Sequence, residues 1–395
     1  MKFNYRNRSS RFSRPRPRNN RPSSVIDLRK YVSQAPTETK ETAPATPITH
    51  TFADFGFAPV INQNIVRKGF TVPTPIQDQA IPYAMAGKDV LGLANTGTGK
   101  TAVFALPIAH KVITSHFQEK ALIIAPTREL ALQIHKEIQL FTQGAGLFSV
   151  LIIGGTGMFQ QISALRRRHS IVIGTPGRLK DLIQQKHLQL GGFKTIVLDE
   201  VDRMLDMGFI PDVRFLMDQI SKERQTMFFS ATMTPQIESL THTFLKNPVS
   251  ISVVKRETAA NIQQEMIRAF TPEEKMLRLQ EILSSPEMNK AIIFTRTKHG
   301  ADRLARKLHQ EHFLADAIHG DKPQRKREQV IRRLKEGSIN VLVATDVAAR
   351  GLDIQDITHV INFDEPATYE DYIHRIGRTG RADKKGTAYT FVSRF

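Results

Sequence analysis

Short apolar runs recur from about residue 50 onward, separated by stretches whose apolar residues fall at helical spacing. In the first half the runs are Val90 to Leu93, Ala121 to Ala125, Val150 to Ile153, Ile171 to Ile173, Ile196 to Leu198 and Met227 to Phe229. A second series holds Ala291 to Phe294, Val341 to Ala344, Val360 to Asn362 and Ala388 to Val392. Runs this short and uninterrupted suit strands buried on both faces, as in a parallel sheet covered by helices. The pattern predicts an α/β chain of two similar units, each a parallel sheet flanked by helices, with ligands at the carboxyl ends of the strands. Length agrees, since 395 residues divide into two domains of ordinary size once a tail is set aside. Residues 50–253 form the first expected unit and 265–395 the second. Between them Val254 to Gln264, with Lys255, Arg256, Glu257, Thr258 and Asn261, has the polar, aperiodic look of a linker. The sequence stops at Phe395 directly after the last expected strand, with no covering helix behind it.

Residues 1–49 break the pattern. Arginines scattered among Pro, Asn and Ser bring 11 Lys or Arg against 3 acidic residues, about +8 of the formal +18. Such a segment buries too little apolar surface to offset its ordering entropy, so a disordered basic tail is expected. It either holds nucleic acid loosely or only keeps the chain soluble. Its arginine-rich, acid-poor makeup also resembles a transit peptide, against which its prolines argue. Over the whole chain 56 Lys and Arg face 38 Asp and Glu, which makes a polyanion a natural partner. Cysteine is absent, excluding disulfides, thiolate catalysis and cysteine-ligated zinc. No apolar run approaches the roughly 18 residues of a membrane span, and a soluble, intracellular protein is expected.

Candidate chemistry is concentrated at strand ends. After the first run come Ala94, Asn95, Thr96, Gly97, Thr98, Gly99, Lys100 and Thr101, followed by a helical stretch. Strand, glycine loop and helix make a phosphate cradle: glycines turn N–H groups toward an anion, Lys100 reaches the outer phosphates and the Thr101 hydroxyl suits magnesium. Glycine is the strict choice where Ala94 stands, though the Gly-Lys-Thr end carries the chemistry. The run Thr195 to Leu198 ends in Asp199 and Glu200, which alone could equally cap a helix. Beside a phosphate loop, Asp199 suits the metal and Glu200 the attacking water. Gly69 to Gln77 contains two stiffening prolines that fix Gln77, whose amide can donate and accept as an adenine edge requires. Phe52 could supply a stacking face. On composition alone, Phe52 and Phe70 read as core aromatics and Gln77 as a surface residue. His374 to Arg381 sets Arg375, Arg378 and Arg381 at three-residue spacing around two glycines, which suits charge developing on a transferring phosphoryl group.

Together these residues carry a resemblance: from about Phe52 to Val392 the chain resembles the DEAD-box ATP-dependent RNA helicases, built of two tandem RecA-like domains. In the family's order stand the Q motif at Gly69 to Gln77, the loop Ala94 to Thr101, Pro126 to Ala131, Gly154-Gly155, Thr175 to Arg178 and Asp199-Glu200-Val201-Asp202. Ser230-Ala231-Thr232, Ile293 to Thr297, Gln324 with Arg327, Ala349 to Asp353 and His374 to Arg381 follow. The Q motif separates this family from DEAH-type and DNA-translocating relatives.

The resemblance implies ATP and Mg2+ as cofactors. Adenine would be read by Gln77, with Phe52, Phe70 and Thr74 nearby. Ala94 to Thr101 would hold the phosphates, Thr101 and Asp199 the magnesium, and Asp353 the ribose. Lys100, Asp199, Glu200, Arg378 and Arg381 would be catalytic. Arg128, Gly155, Thr175, Arg178, Arg296, Arg327, Thr345 and Arg350 would touch RNA through sugar and phosphate. Asp202, Ser230, Thr232, His374 and Arg375 would couple the domains. The implied partners are single-stranded RNA, short duplexes and ribonucleoprotein or ribosomal assemblies, for a cytoplasmic monomer without membrane contact. Val201 departs from the family's alanine. Because the flanking acids serve the ion and water, ATPase is expected to survive, while the coupling beside it is open to change. A nucleotide-gated RNA clamp and a DNA translocase are the competing readings; the complete set of turnover residues disfavours the first, and the Q motif the second.

Overall fold

The computed structural model describes residues 48–392 except 96, 254–260, 350–353, 355 and 381–384. The expected disordered tail lies outside the described residues but for its last two. Of these, Thr49 is held on the first lobe, its N–H 3.2 Å from a carboxylate oxygen of Asp78.

Among the described residues the first lobe holds strands β1 (Val90–Leu93), β2 (Ala121–Ile124), β3 (Ser149–Ile152), β4 (Ile171–Gly174), β5 (Thr195–Leu198), β6 (Gln225–Ser230) and β7 (Val249–Ser252). They form one parallel sheet in the order β3-β4-β2-β5-β6-β1-β7. The second lobe holds β8 (Ile262–Arg268), β9 (Ala291–Phe294), β10 (Ala315–Ile318), β11 (Val341–Ala344), β12 (His359–Asn362) and β13 (Gly386–Val392). Their order is β10-β11-β9-β12-β13-β8, again all parallel.

Helices cover both faces of each sheet, and the alternation along single strands shows it. In β2, Ala121 and Ile123 join one core, while Leu122 and Ile124 join the other. Val341 and Val343 of β11 likewise face away from Leu342 and Ala344. Both side-chain rows are dry, which is why these strands read as unbroken apolar runs. Threonine caps begin several helices directly after strands: Thr127 Oγ1 accepts from Leu130 N–H at 3.2 Å and Thr297 Oγ1 from Gly300 N–H at 3.0 Å. Each cap satisfies an N–H that the first helical turn leaves without a partner.

Three strands depart from the sequence expectation: β7, β8 and β10. Each lies at the edge of its sheet; β7 and β8 each expose a row of polar side chains, and in β10 the partly buried Asp316 breaks the apolar run. The expected linker is also shorter at its carboxyl end, since β8 begins at Ile262 and pairs with β13 from Gly386 onward. Among the described residues no helix is long and apolar enough to cross a membrane.

Candidate nucleotide and RNA site

Sheet order divides the carboxyl end of the first lobe into two halves. Neighbouring strands β1, β6 and β5 lead into the glycine loop, Ser230 and the Asp199-Glu200 pair. Leu93 is the register partner of Ser230, and Leu198 of Phe228. Neighbouring β2, β4 and β3 lead into Arg128, Thr175 and Gly155. Residues expected at nucleotide and at RNA therefore stand side by side because their strands do.

In the nucleotide half, Gly97 and Gly99 have φ of 86° and 89°, a conformation glycine adopts without strain. Lys100 opens the helix Lys100–Thr114, and its Nζ donates to the Ala94 carbonyl at 2.8 Å. Thr98 Oγ1 donates to the Asn95 carbonyl at 2.9 Å and closes the loop. Thr101, half-buried, occupies the first turn of that helix. The Q-motif side chains grip this loop. Thr74 Oγ1 donates to the Thr98 carbonyl at 2.8 Å, and Gln77 Nε2 to the Gly99 carbonyl at 3.1 Å. Gln77 Oε1 accepts from the Thr74 N–H at 2.9 Å. Gln77 is thus buried and braces the phosphate loop, a role that sequence reading missed. A Cβ on Gly99 would strike the Gln77 amide. Phe52 is buried with its ring 5.8 Å from that of Phe70, which in turn lies 5.8 Å from Phe141. Lys68 Nζ sits 5.0 Å above Phe70 and 4.5 Å above Phe141.

Asp199 is buried, and its Oδ1 has no hydrogen-bond partner. Burial pushes its carboxyl up to about 6; the Lys100 charge opposes this and Glu200 adds to it. An orphaned carboxylate oxygen facing a lysine and a phosphate loop fits a divalent cation shared with phosphate oxygens. No group of three or more His, Cys, Asp and Glu side chains gathers among the described residues, so phosphates and water would complete the shell. Glu200 holds φ of 55° and ψ of 54°, an uncommon conformation for a non-glycine residue that recurs at functional sites. Arg203 Nη1 fixes its carboxylate at 2.6 Å.

Asp202 Oδ2 accepts the N–H groups of Ala231 at 2.8 Å and Thr232 at 3.2 Å. Ser230 Oγ donates to the Thr232 carbonyl at 2.8 Å. The acidic motif is thus tied to the Ser-Ala-Thr segment through that segment's backbone. Val201 is fully buried and packs into the core with Leu198, Met204, Phe228 and Ile237. Its additional carbons enter that core.

In the RNA half, Arg128 lies against Gly154 and Gly155, and a Cβ on Gly155 would run into its guanidinium. Burial, then the charges of Arg327 and Arg178, lower the Arg128 pKa, with Glu129 opposing. Three arginines around one glutamate leave surplus positive charge where phosphates are expected. Thr175 is buried at the cap of Pro176–Gln184, and Arg178 Nη1 reaches the Thr156 carbonyl at 3.3 Å.

From the second lobe, Arg327 Nε donates to Glu129 Oε1 at 2.6 Å, with the side chains only 5% and 7% exposed. Its Nη1 donates to the His319 carbonyl at 3.0 Å. Arg327, expected at RNA, joins the two lobes one residue from Arg128. Glu129 was legible only as a member of the motif Pro126 to Ala131, with no role of its own; in the first turn of the helix Arg128–Phe141 it also complements the helix dipole. Arg296 is exposed after β9, with its N–H on Asp364 Oδ2 at 2.8 Å, and Thr345 is buried after β11.

Arg375, expected to couple the lobes, makes its contacts inside the second. It grips Asp346 at 2.6 and 2.8 Å, the Asp364 carbonyl at 2.6 Å and Asn362 Oδ1 at 3.3 Å. That arrangement meets its buried charge and pins the segment after β11 to the helix Tyr369–Ile376. His374 lies on the same helix, and Arg378 is buried just beyond it. Thr96, Arg350, Asp353 and Arg381 lie outside the described residues.

A model of the DEAD/DEAH box helicase domain matches residues 74–240, and one of the helicase conserved C-terminal domain matches 274–383. The chain is 45% identical over 341 residues to the ATP-dependent RNA helicase CshA of Listeria monocytogenes, covering 86% of this chain and 66% of that protein. To the DEAD-box ATP-dependent RNA helicase CshA of Bacillus subtilis it is 45% identical over 349 residues, covering 88% and 70%. The chain thus spans about two thirds of the length of these relatives. Among solved structures, S. cerevisiae Dbp5 bound to RNA and ADP BeF3 matches with a TM-score of 0.78 at 30% identity, covering 88% of this chain and 90% of that one. By ordered motifs, paired sheets and these likenesses, the chain belongs to the DEAD-box family of ATP-dependent RNA helicases.

Proposed function

We propose that this protein is an RNA-activated ATPase that closes its two lobes over ATP and a single RNA strand, separating short duplexes locally. The observation that carries this reading is the Glu129–Arg327 ion pair, which joins the lobes beside the expected RNA contact Arg128. Likeness across both lobes to a structure bound to RNA and ADP BeF3 supports the same arrangement. Its site of action would be the cytoplasm, as a monomer, on RNA within ribonucleoprotein or ribosomal assemblies.

The steps follow from the chain's own groups. Gly97, Gly99 and Lys100 would cradle the phosphates while Thr74 and Gln77 hold the loop in shape. Thr101 and Asp199 would hold magnesium. That ion, when bound, neutralises phosphate charge and helps align the terminal group for in-line attack. Glu200, fixed by Arg203, would orient water and accept its proton. Arg378 and Arg381, with Asp353 at the ribose, would enter from the second lobe, so hydrolysis would require closure. Loss of phosphate would remove the charge that holds the lobes together, and RNA would be released.

RNA would lie across Arg128, Gly155, Thr175 and Arg178 on one lobe and Arg296, Thr345 and Arg350 on the other. A strand held through its backbone by two rigid lobes cannot keep A-form geometry unless both surfaces lie on one helix. Bending it would break local pairing. The test is ATP turnover with single-stranded RNA, with DNA of the same sequence, and with neither. RNA should stimulate turnover strongly and DNA little; equal rates in all three would refute the proposal.

A further inference from the structure

We propose that His319 is a positioning residue that holds Arg327 in place for Glu129, linking the helix behind Arg296 to the RNA end of the first lobe. The inference rests on the reading that lobe closure couples ATP to RNA.

His319 immediately follows β10 and is 5% exposed. Its Nε2 lies 2.9 Å from Asp302 Oδ2, on the helix Lys298–Gln310. A carboxylate can only accept, so Nε2 carries the hydrogen. The other ring nitrogen, Nδ1, is buried with no hydrogen-bond partner. A buried polar atom left unmet is costly, and an apolar side chain would fill the same place without that cost. What the ring offers in return is the bond from its Nε2 to Asp302.

The His319 carbonyl receives Arg327 Nη1 at 3.0 Å and the Lys322 N–H at 3.2 Å. With Nε on Glu129, the planar guanidinium has one acceptor in each lobe, and two fixed points set its plane. Gly320, directly after His319, offers little resistance to movement of that carbonyl. The ring-to-Asp302 bond supplies it, reinforced by Lys322, 3.8 Å from Asp302 and 3.2 Å from Asp316. Asp302 lies four residues beyond Lys298, whose helix is capped by Thr297, next to Arg296. The path Asp302, His319, Arg327, Glu129 thus runs between two segments expected to touch one RNA strand.

The test is RNA-stimulated ATP turnover of the full chain at saturating ATP, with oligouridine as the probe. His319→Ala should raise the half-activating RNA concentration about tenfold, the size of roughly one hydrogen bond, with turnover at saturating RNA within about twofold of wild type. His319→Gln, whose amide still reaches Asp302, should restore most of the loss. In an Arg327→Ala background His319→Ala should add nothing, because residues acting through one contact are not additive. An unchanged half-activating concentration, a full additive loss beside Arg327→Ala, or a fall in maximal turnover alone would overturn the proposal. If His319→Ala does not fold, Asp302→Ala, which removes the acceptor for His319 Nε2, carries the same comparison in both backgrounds, with the same outcomes for and against. Absence of RNA stimulation in the wild type would defeat the functional reading itself. Normal stimulation with an indifferent His319→Ala would defeat only this inference.

Discussion

Arg327→Ala removes one half of a charge pair whose members lie in different lobes, 2.6 Å apart and almost fully buried. Deleting one partner of such a pair costs about 3–5 kcal/mol, because the remaining charge stays buried without its counterion. When the lobes separate, Glu129 returns to water, so the cost falls on closure rather than on the stability of either lobe. At about 1.4 kcal/mol per factor of ten, even the lower figure corresponds to roughly a hundredfold loss of closed population. Glu129→Gln should be milder, about tenfold, since the amide oxygen still accepts from Arg327. That variant also leaves Arg128 and Arg327 without the carboxylate that faces both, so RNA phosphates should recover part of the loss at low salt. The assay is the half-activating concentration of single-stranded RNA for ATP turnover, beside ATP affinity without RNA. The first should rise and the second hold steady. Variants that fold normally and keep wild-type RNA activation would refute a closure-dependent role for this pair.

Gly155→Ala should displace Arg128, since a Cβ there meets the guanidinium and the backbone φ is 77°; RNA binding should fall about tenfold with ATP affinity unchanged, as binding titrations of each ligand would show. Glu200→Gln should keep ATP binding and lose at least about a hundredfold in turnover, the usual value of a positioned base; near-normal turnover would remove Glu200 from that role. Asp199 offers a pH test. Burial pushes its carboxyl up to about 6 in the folded protein, above the ordinary aspartate value of about 3.9, so the native state holds an extra proton between those values. Stability of the nucleotide-free protein should therefore fall as pH rises through that window. Asp199→Asn should stabilise the protein at about pH 8 by roughly 1–3 kcal/mol, with the gain gone near pH 4; thermal unfolding at the two pH values checks it, and a gain of equal size at both would contradict the buried charge.

What the sequence made legible follows from burial on two faces. Interior strands such as β2 and β11 bury both rows of side chains and announce themselves as apolar runs. Edge strands β7 and β8 have one wet side, β10 is interrupted by the polar Asp316, and Ile262, Gln263 and Gln264 of β8 fall within the expected linker. The glycine loop and the acidic pair were readable because their chemistry is contiguous in the chain. Contacts over long sequence distances were not. Nothing local to Arg327 shows that it faces Glu129, 198 positions away. Nothing local to Arg375 shows that Asp346 takes its charge. Gln77 was legible as a fixed amide, but its hold on the Gly99 carbonyl appears only when Pro75–Met85 packs beside Lys100–Thr114.

If one closure serves both ligands, their binding must be linked. Affinity for single-stranded RNA is measured with and without a non-hydrolysable ATP analogue, and affinity for the analogue with and without RNA. Because coupling free energy is reciprocal, each ligand should tighten the other by the same factor, about tenfold or more, and Arg327→Ala should reduce both factors together. Equal RNA affinity in the presence and absence of the analogue would mean that the two ligands do not share one closure.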